Sequence, residues 1–272
     1  MRSWEQRRMY TCLPNVRSPN HRCHALGVLL ALALAPPALA GQVTFTTADG
    51  VTLRGEDFGY GTRGVVLVHG RTRTSEDWTY FAGKLAERDF HVLIFDLRGH
   101  GRSGPSDSVG PAMVADVTAA LGWLHRRGAT EITLVGSELG ANLAVNAAAP
   151  DATVVNLVLV SPGMNLNGVP VKQPLIDYGD RPLMVVASNE DAYSAKTSRF
   201  LSAIATGPKQ LTVVESGSGT RLINRDIDLE TQVLGWIAGG WRDVESIAPG
   251  ERELEAGSAA DIETTGVKFG DR

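Results

Sequence analysis

The chain has 272 residues, with 26 basic and 30 acidic side chains and 6% aromatic residues. An acidic balance with few aromatics and no basic cluster argues against nucleic acid or an anionic lipid surface as the main partner. The length allows one or two domains and is ample for a hydrophobic core.

Residues 26–40, LGVLLALALAPPALA, form an apolar run behind a stretch containing Arg2, Arg7, Arg8, Arg17 and Arg22. The run ends in Ala38-Leu39-Ala40, the small-residue pattern that precedes signal cleavage. Residues 1–40 therefore read as a signal peptide, with the mature chain starting near Gly41. That predicts an exported protein, periplasmic or secreted. The alternative is an uncleaved anchor. The run is shorter than the roughly 20 apolar residues a span needs, and Pro36-Pro37 interrupts it. No stable membrane insertion is expected after cleavage. The long leader also makes Met9 a candidate start. Both cysteines, Cys12 and Cys23, lie in the leader, so the mature chain would carry no disulfide and rely on its core. Cleavage removes five arginines and one glutamate, which leaves 21 basic and 29 acidic residues, a net charge of −8.

Beyond Gly41, short β-rich runs alternate with helical patterns. Residues 42–59 read as two strands joined by Asp49-Gly50, a hairpin signal. Residues 64–69 are a continuous apolar run suited to a strand buried on both faces. Trp78 to Arg88 has helical spacing through Trp78, Phe81 and Leu85. His91 to Asp96 is the next buried strand. Ala112 to Arg127 is helical, Ile132 to Val135 a strand, and Gly140 to Ala149 a small-residue helix. Val154 to Val160, Leu183 to Ala187 and Leu211 to Val214 are further strands. Ser194 to Ala205 and Leu229 to Trp241 are the helices after the last two. The stretch from Gly163 to Gly179 is the one candidate for a small cap. Two antiparallel strands followed by repeated β-α units predict an α/β fold, with a mostly parallel sheet covered by helices on both faces. Ligands of such sheets lie beyond the carboxyl ends of the strands.

The folded domain is expected over residues 41–241. Residues 242–272 carry four basic and eight acidic residues without apolar periodicity, and read as an acidic, disordered tail. The alternative is a segment that folds on a protein partner.

Four motifs carry chemical information. Val65 to Gly70, VVLVHG, is a buried strand running into a loop. Asp96 to Ser103 reads DLRGHGRS. Gly136-Ser137-Glu138-Leu139-Gly140 has the frame G-x-S-x-G with glutamate at the position of the serine. Pro182 to Ser194, PLMVVASNEDAYS, is a strand and turn presenting Asp191. In this order the four resemble the α/β-hydrolase superfamily, in its small bacterial form without a cap domain. The resemblance runs from about Gly41 to Trp241. It implies the α/β-hydrolase fold, with an antiparallel start to the central sheet. It also implies a nucleophile elbow at Glu138, an acid position at Asp191, and an oxyanion hole from the Leu139 N–H and the loop at Gly70 and Arg71.

The chemistry of that family needs a serine at the elbow, a histidine base and an orienting acid, in that chain order. Here Glu138 stands at the exposed elbow position. Ser137 is one residue early and is the weaker alternative nucleophile. The six histidines are His21, His24, His69, His91, His100 and His125, so none follows the elbow. Where the resemblance expects the catalytic histidine, the chain has Glu215-Ser216-Gly217-Ser218-Gly219-Thr220. A glutamate nucleophile is chemically conceivable, since related dehalogenases and epoxide hydrolases use aspartate there. Their second step normally uses the missing histidine, and glutamate is one methylene longer. A helix N-terminus favours an anion, so the expectation is that Glu138 occupies the oxyanion hole, paired with Arg71 or Arg73. His69, His100 and Asp96 read as loop supports. No metal site and no cofactor is indicated: there is no H-E-x-x-H, no His/Asp ligand set, no Cys pair and no G-x-G-x-x-G after a strand.

Three functions follow. The first is an exported pseudoenzyme that keeps the crevice for a small-molecule ligand. The second is an active hydrolase of small esters with an unconventional nucleophile. The third is a protein-interaction module of the cell envelope acting through the acidic tail.

Overall fold

The computed structural model describes residues 40–105 and 110–243. The signal peptide and the tail read from the sequence lie outside the described residues, apart from the first residues of the tail. An eight-stranded sheet has the order β1-β2-β4-β3-β5-β6-β9-β10. Its strands are β1 (Gly41–Thr46), β2 (Thr52–Phe58), β3 (Arg63–Val68), β4 (His91–Phe95), β5 (Glu131–Ser137), β6 (Val154–Val160), β9 (Leu183–Ser188) and β10 (Lys209–Val214). β7 (Asn165–Leu166) and β8 (Val169–Pro170) form a separate small hairpin. β1 pairs antiparallel with β2, and β2 antiparallel with β4. Every later pairing in the sheet is parallel. The expected α/β fold with an antiparallel start is what forms.

The hairpin signal works as its chemistry requires. Gly50 takes φ 87°, and Thr47 and Val51 close the turn through Thr47 N–H to Val51 O at 3.0 Å. The helices are α1 (Thr79–Ala86), α2 (Val114–Arg126), α3 (Leu139–Ala148), α4 (Lys172–Tyr178), α5 (Ala192–Ile204), α6 (Thr220–Arg225) and α7 (Ile227–Ile237). Two apolar clusters lie on opposite faces of the sheet. Alternation along β3 shows the division: Val66 and Val68 join the cluster that includes residues of α2, α3 and α5, while Val65 and Leu67 join that of α1, α6 and α7. A strand buried this way must be apolar at every position, which is why Val65 to Val68 do not alternate. Each such side chain contributes about 1.5–3 kcal/mol by leaving water.

The stretch from Gly163 to Gly179 holds the β7–β8 hairpin and α4, neither of which the sequence reading resolved. The buried Asn142 of α3 fixes it. Asn142 Nδ2 donates to Gly163 O at 2.8 Å and Val169 O at 2.7 Å, and its Oδ1 accepts from Gly163 N–H at 3.2 Å. Val169, Val171, Leu175 and Tyr178 enter the core cluster that contains α3. The insert is thus a pinned part of this helical layer.

Candidate active site

The turn from β5 into α3 places Glu138 at φ 51°, ψ −119°. A residue with a side chain reaches this region at a cost of about 1–3 kcal/mol, so the surroundings must enforce it. Glu138 N–H donates to Val160 O at 2.8 Å, and Ala141 N–H donates to Glu138 O at 3.0 Å. The flanking glycines let backbones approach. A methyl at Gly136 would strike Gly140 O, and one at Gly140 would strike the carbonyls of Val68 and His69. The glycine frame is therefore a packing requirement of this turn, independent of which side chain it presents.

That side chain is a carboxylate held between two loops. A methyl built at Gly70 would lie 2.6 Å from Glu138 Oε2, and one at Gly219 would lie 2.6 Å from Oε1. The structure thus brings Gly70 and Glu138 together, and adds Gly219, which follows β10. The Glu138 side chain does not cap its helix, so the Leu139 N–H is not its donor. The expected pairing with Arg71 or Arg73 is absent. Arg73 Nε instead lies 3.5 Å from Asp77 Oδ2, and Glu138 has no ion pair among the described residues. The reason is geometric: the carboxylate leans on two glycines rather than back over its own N-terminal turn.

Ser137 ends β5 and is 1% exposed. Strand alternation puts it on the face of Val135, away from the turn that presents Glu138.

The two histidines near the site serve the loops. His69 is fully buried; Leu97 N–H donates to its Nε2 at 3.0 Å, so Nδ1 carries the proton and donates to Gly70 O at 2.7 Å. Burial pushes its pKa down to about 4, against the opposing pull of the Gly70 carbonyl. His100 Nδ1 lies 2.9 Å from Arg98 O, and Nε2 lies 2.6 Å from Arg71 O. It ties the loop of residues 96–103 to the loop after β3. Asp96 braces the same region, accepting from Ser75 N–H and Oγ at 2.8 Å each and from Arg102 N–H at 2.8 Å. Burial works to raise the pKa of Asp96, but the Arg102 and Ser75 donors prevail and hold it below the usual range.

The loop expected to hold a histidine is anchored otherwise. Gly219 takes φ 57°, and its N–H donates to Ser161 Oγ at 3.0 Å. Ser161, at the end of β6, is itself at φ 51°. Thr220 follows, 3% exposed, and its hydroxyl donates to Asp77 Oδ2 at 3.0 Å. Asn224 Nδ2 donates to Asp77 O at 2.9 Å. Sequence reasoning missed Thr220, Asp77 and Ser161. The Gly217-Ser218-Gly219 run signalled the turn, but nothing local pairs Thr220 with a residue so distant in the chain.

Asp191 sits after β9, where it caps α5 by accepting from Ser194 N–H at 3.0 Å. It lines an open depression of about 1110 Å³ together with Glu190, Glu215, Arg221, Arg225 and Asp226, among others. Among the described residues no group of three His, Cys, Asp or Glu side chains could hold a metal ion.

The comparisons with known proteins agree with this fold. The model of the alpha/beta hydrolase family matches residues 65–246. No curated protein matches the sequence. Among solved structures, an esterase from Pyrococcus furiosus is similar with a TM-score of 0.65 at 20% identity, over 75% of this chain and 92% of that one. A hypothetical protein from Pseudomonas aeruginosa is similar with a TM-score of 0.64 at 17% identity, over 75% and 94%. An esterase from Exiguobacterium antarcticum is similar with a TM-score of 0.59 at 17% identity, over 73% and 100%. These likenesses show the fold. With the family model spanning most of the chain, and the elbow, the loop after β3 and the sheet order all in place, the protein belongs to the alpha/beta hydrolase family.

Proposed function

We propose that the protein is an exported, non-hydrolytic member of its family, a pseudoenzyme that keeps the strand-end crevice for binding. The observation that carries this reading is the Glu138 carboxylate, set between Gly70 and Gly219 at the elbow. It fills space beside the loop that would supply an oxyanion donor, where an acyl oxygen would have to lie. In this reading Gly70, Arg71 and Leu139 retain the frame of the oxyanion hole, and Asp191 is an acid position with no imidazole to orient. No histidine follows His125, and His69 and His100 spend their ring nitrogens on backbone groups. Ser137 is buried. Export rests on the leader of residues 1–40.

The rival is hydrolysis of small esters through Glu138. It draws on the names of two of the similar structures, both esterases. Turnover of short-chain p-nitrophenyl esters by the purified protein and its Glu138→Ala variant decides between them. No turnover in either, with cooperative unfolding in both, is the expected result. Turnover that disappears in the variant would overturn the reading. Labelling by a fluorophosphonate would instead implicate Ser137.

A further inference from the structure

We propose that signal cleavage completes this domain: the α-ammonium freed on Gly41 becomes the ion-pair partner of Asp57, a contact the precursor cannot make. The inference rests on the export reading of the leader, and the test separates the two. β1 begins at Gly41, the residue that follows Ala38-Leu39-Ala40. Ala40, just outside the strand, is exposed. A cut between Ala40 and Gly41 therefore leaves the whole strand in the sheet. Gly41 lies opposite Asp57 in the β1–β2 ladder. Asp96 N–H donates to Arg54 O at 2.9 Å, so alternate residues of β2 turn their main-chain groups to β4, and Asp57 turns its own to β1. The Asp57 carboxylate folds over Gly41, since a methyl built there would lie 2.6 Å from Oδ1. The Gly41 nitrogen is bonded to the same Cα, which puts it within about 5 Å of that oxygen. In the precursor this nitrogen is a neutral peptide N–H. After cleavage it carries a full positive charge and more than one donor.

The carboxylate is ready for such a partner. The Asp57 side chain is only 18% exposed, and the groups that face it reach it loosely. His91 Nε2 lies 3.6 Å and Arg127 Nη1 3.9 Å from its Oδ2, both longer than a hydrogen bond. Burial lowers the pKa of His91, so the ring is neutral near pH 7. Arg127 is half-exposed and stacks 4.0 Å over the Trp123 ring. Both approach Oδ2, whereas Gly41 lies against Oδ1. Among the described residues no hydrogen bond reaches this carboxylate. A largely buried carboxylate is normally satisfied by donors, because its loss of water is otherwise uncompensated. Glu56, on the other face of β2, is taken by Arg102 at 3.0 Å and does not compete for the new charge.

The test exports the full chain from a bacterial host, isolates the processed protein and reads its N-terminus by mass spectrometry. The expected terminus is Gly41. Its amino group is then titrated through the nitrogen resonance of labelled glycine, in the wild type and in Asp57→Asn. An ordinary α-amino group has a pKa of about 7.7–8.0. The wild type is expected at about 9, roughly a tenfold gain in proton affinity, and Asp57→Asn at the ordinary value. A raised folded-state pKa stabilises fully below the unfolded value and is lost as pH rises through the folded one. The urea midpoint of the wild type should therefore fall between about pH 8 and 9 more than that of Asp57→Asn. Should Asp57→Asn fail to fold, acetylation of the wild-type amino group removes the charge without touching Asp57, and should lower the urea midpoint at pH 7. A terminus other than Gly41 removes the inference together with the cleavage site it rests on. A Gly41 terminus with an ordinary amino pKa, a raised one that persists in Asp57→Asn, or an unchanged midpoint on acetylation removes the inference alone and leaves the export reading standing.

Discussion

Thr220 donates its hydroxyl to the Asp77 carboxylate at 3.0 Å, joining the first turn of α6 to the 3-10 turn that precedes α1. Where the family resemblance expects an imidazole facing the crevice, a short side chain holds two loops together. Thr220 is nearly fully buried, so its replacement by valine leaves Asp77 with one donor fewer. Thr220→Val should cost about 1 kcal/mol, read as a lower urea midpoint with an unchanged denaturant slope.

Gly70 and Glu138 should be energetically coupled. Alanine at residue 70 would bring a methyl 2.6 Å from Glu138 Oε2, and the glutamate side chain would have to move. Because the clashing atoms are the end of a flexible, partly exposed side chain, Gly70→Ala is expected to destabilise the wild type by no more than about 1 kcal/mol, and less in a Glu138→Ala background. A double-mutant cycle on unfolding free energies measures the difference. Additive effects would mean that the two groups do not press on one another.

The elbow itself makes a separate prediction. At φ 51°, ψ −119° any side chain pays for the turn. Glu138→Gly should be more stable than Glu138→Ala by about 1 kcal/mol or more, because glycine alone reaches this region without a Cβ penalty. In a helix interior the order would be reversed, so the comparison of urea midpoints reads the backbone rather than helix propensity.

His69 sets an acid limit. Its folded-state pKa, near 4, lies below the ordinary value of 6.5, so the unfolded chain binds the proton more readily. The stabilisation from the neutral ring is complete above about pH 6.5 and is lost as pH falls toward 4, a total of about 3 kcal/mol. Unfolding free energy measured across this window should fall with pH. His69→Gln should flatten the profile. His91, also lowered by burial, adds a slope of the same sign that persists in the variant.

The parts of the fold that were legible in the sequence are those whose signal is local. Residues 64–69 and Val154 to Val160 announce themselves because a strand covered on both faces must be apolar throughout. The boundaries of α2, α3 and α5 fall within a few residues of those read from periodicity. α4 and α6 were missed because helices of 7 and 6 residues are too short to show a period. The identity of the elbow residue and the missing histidine could be read directly. The placement of Glu138 could not. It depends on two glycines from loops far apart in the chain: sequence reasoning looked to the Leu139 N–H, the loop at Gly70 and Arg71 and the nearby arginines, and nothing local pointed to Gly219.

Arg181 offers a test of how the helical layer is fixed. It donates to the carbonyls of Tyr178, Ala148, Ala149, Asp151 and Val154, so one guanidinium satisfies the end of α3 and the entry to β6. Arg181→Ala should cost about 2–4 kcal/mol, since several acceptors lose their partner together. Arg181→Lys should recover little of this, because an ammonium cannot span the same set of acceptors. Thermal unfolding of the two variants decides the point.

The insert from Gly163 to Gly179 bears on how quickly any ligand comes and goes. Asn142 holds it through three hydrogen bonds, and Asn146 Nδ2 adds a fourth to Pro170 O at 2.7 Å. To swing this segment aside the molecule would have to break those bonds and open an apolar layer. Exchange at the strand ends should therefore proceed without a slow gating step. Association would then scale linearly with ligand concentration, with no plateau from a rate-limiting opening, and residence time would be set by the contacts around residue 138 alone.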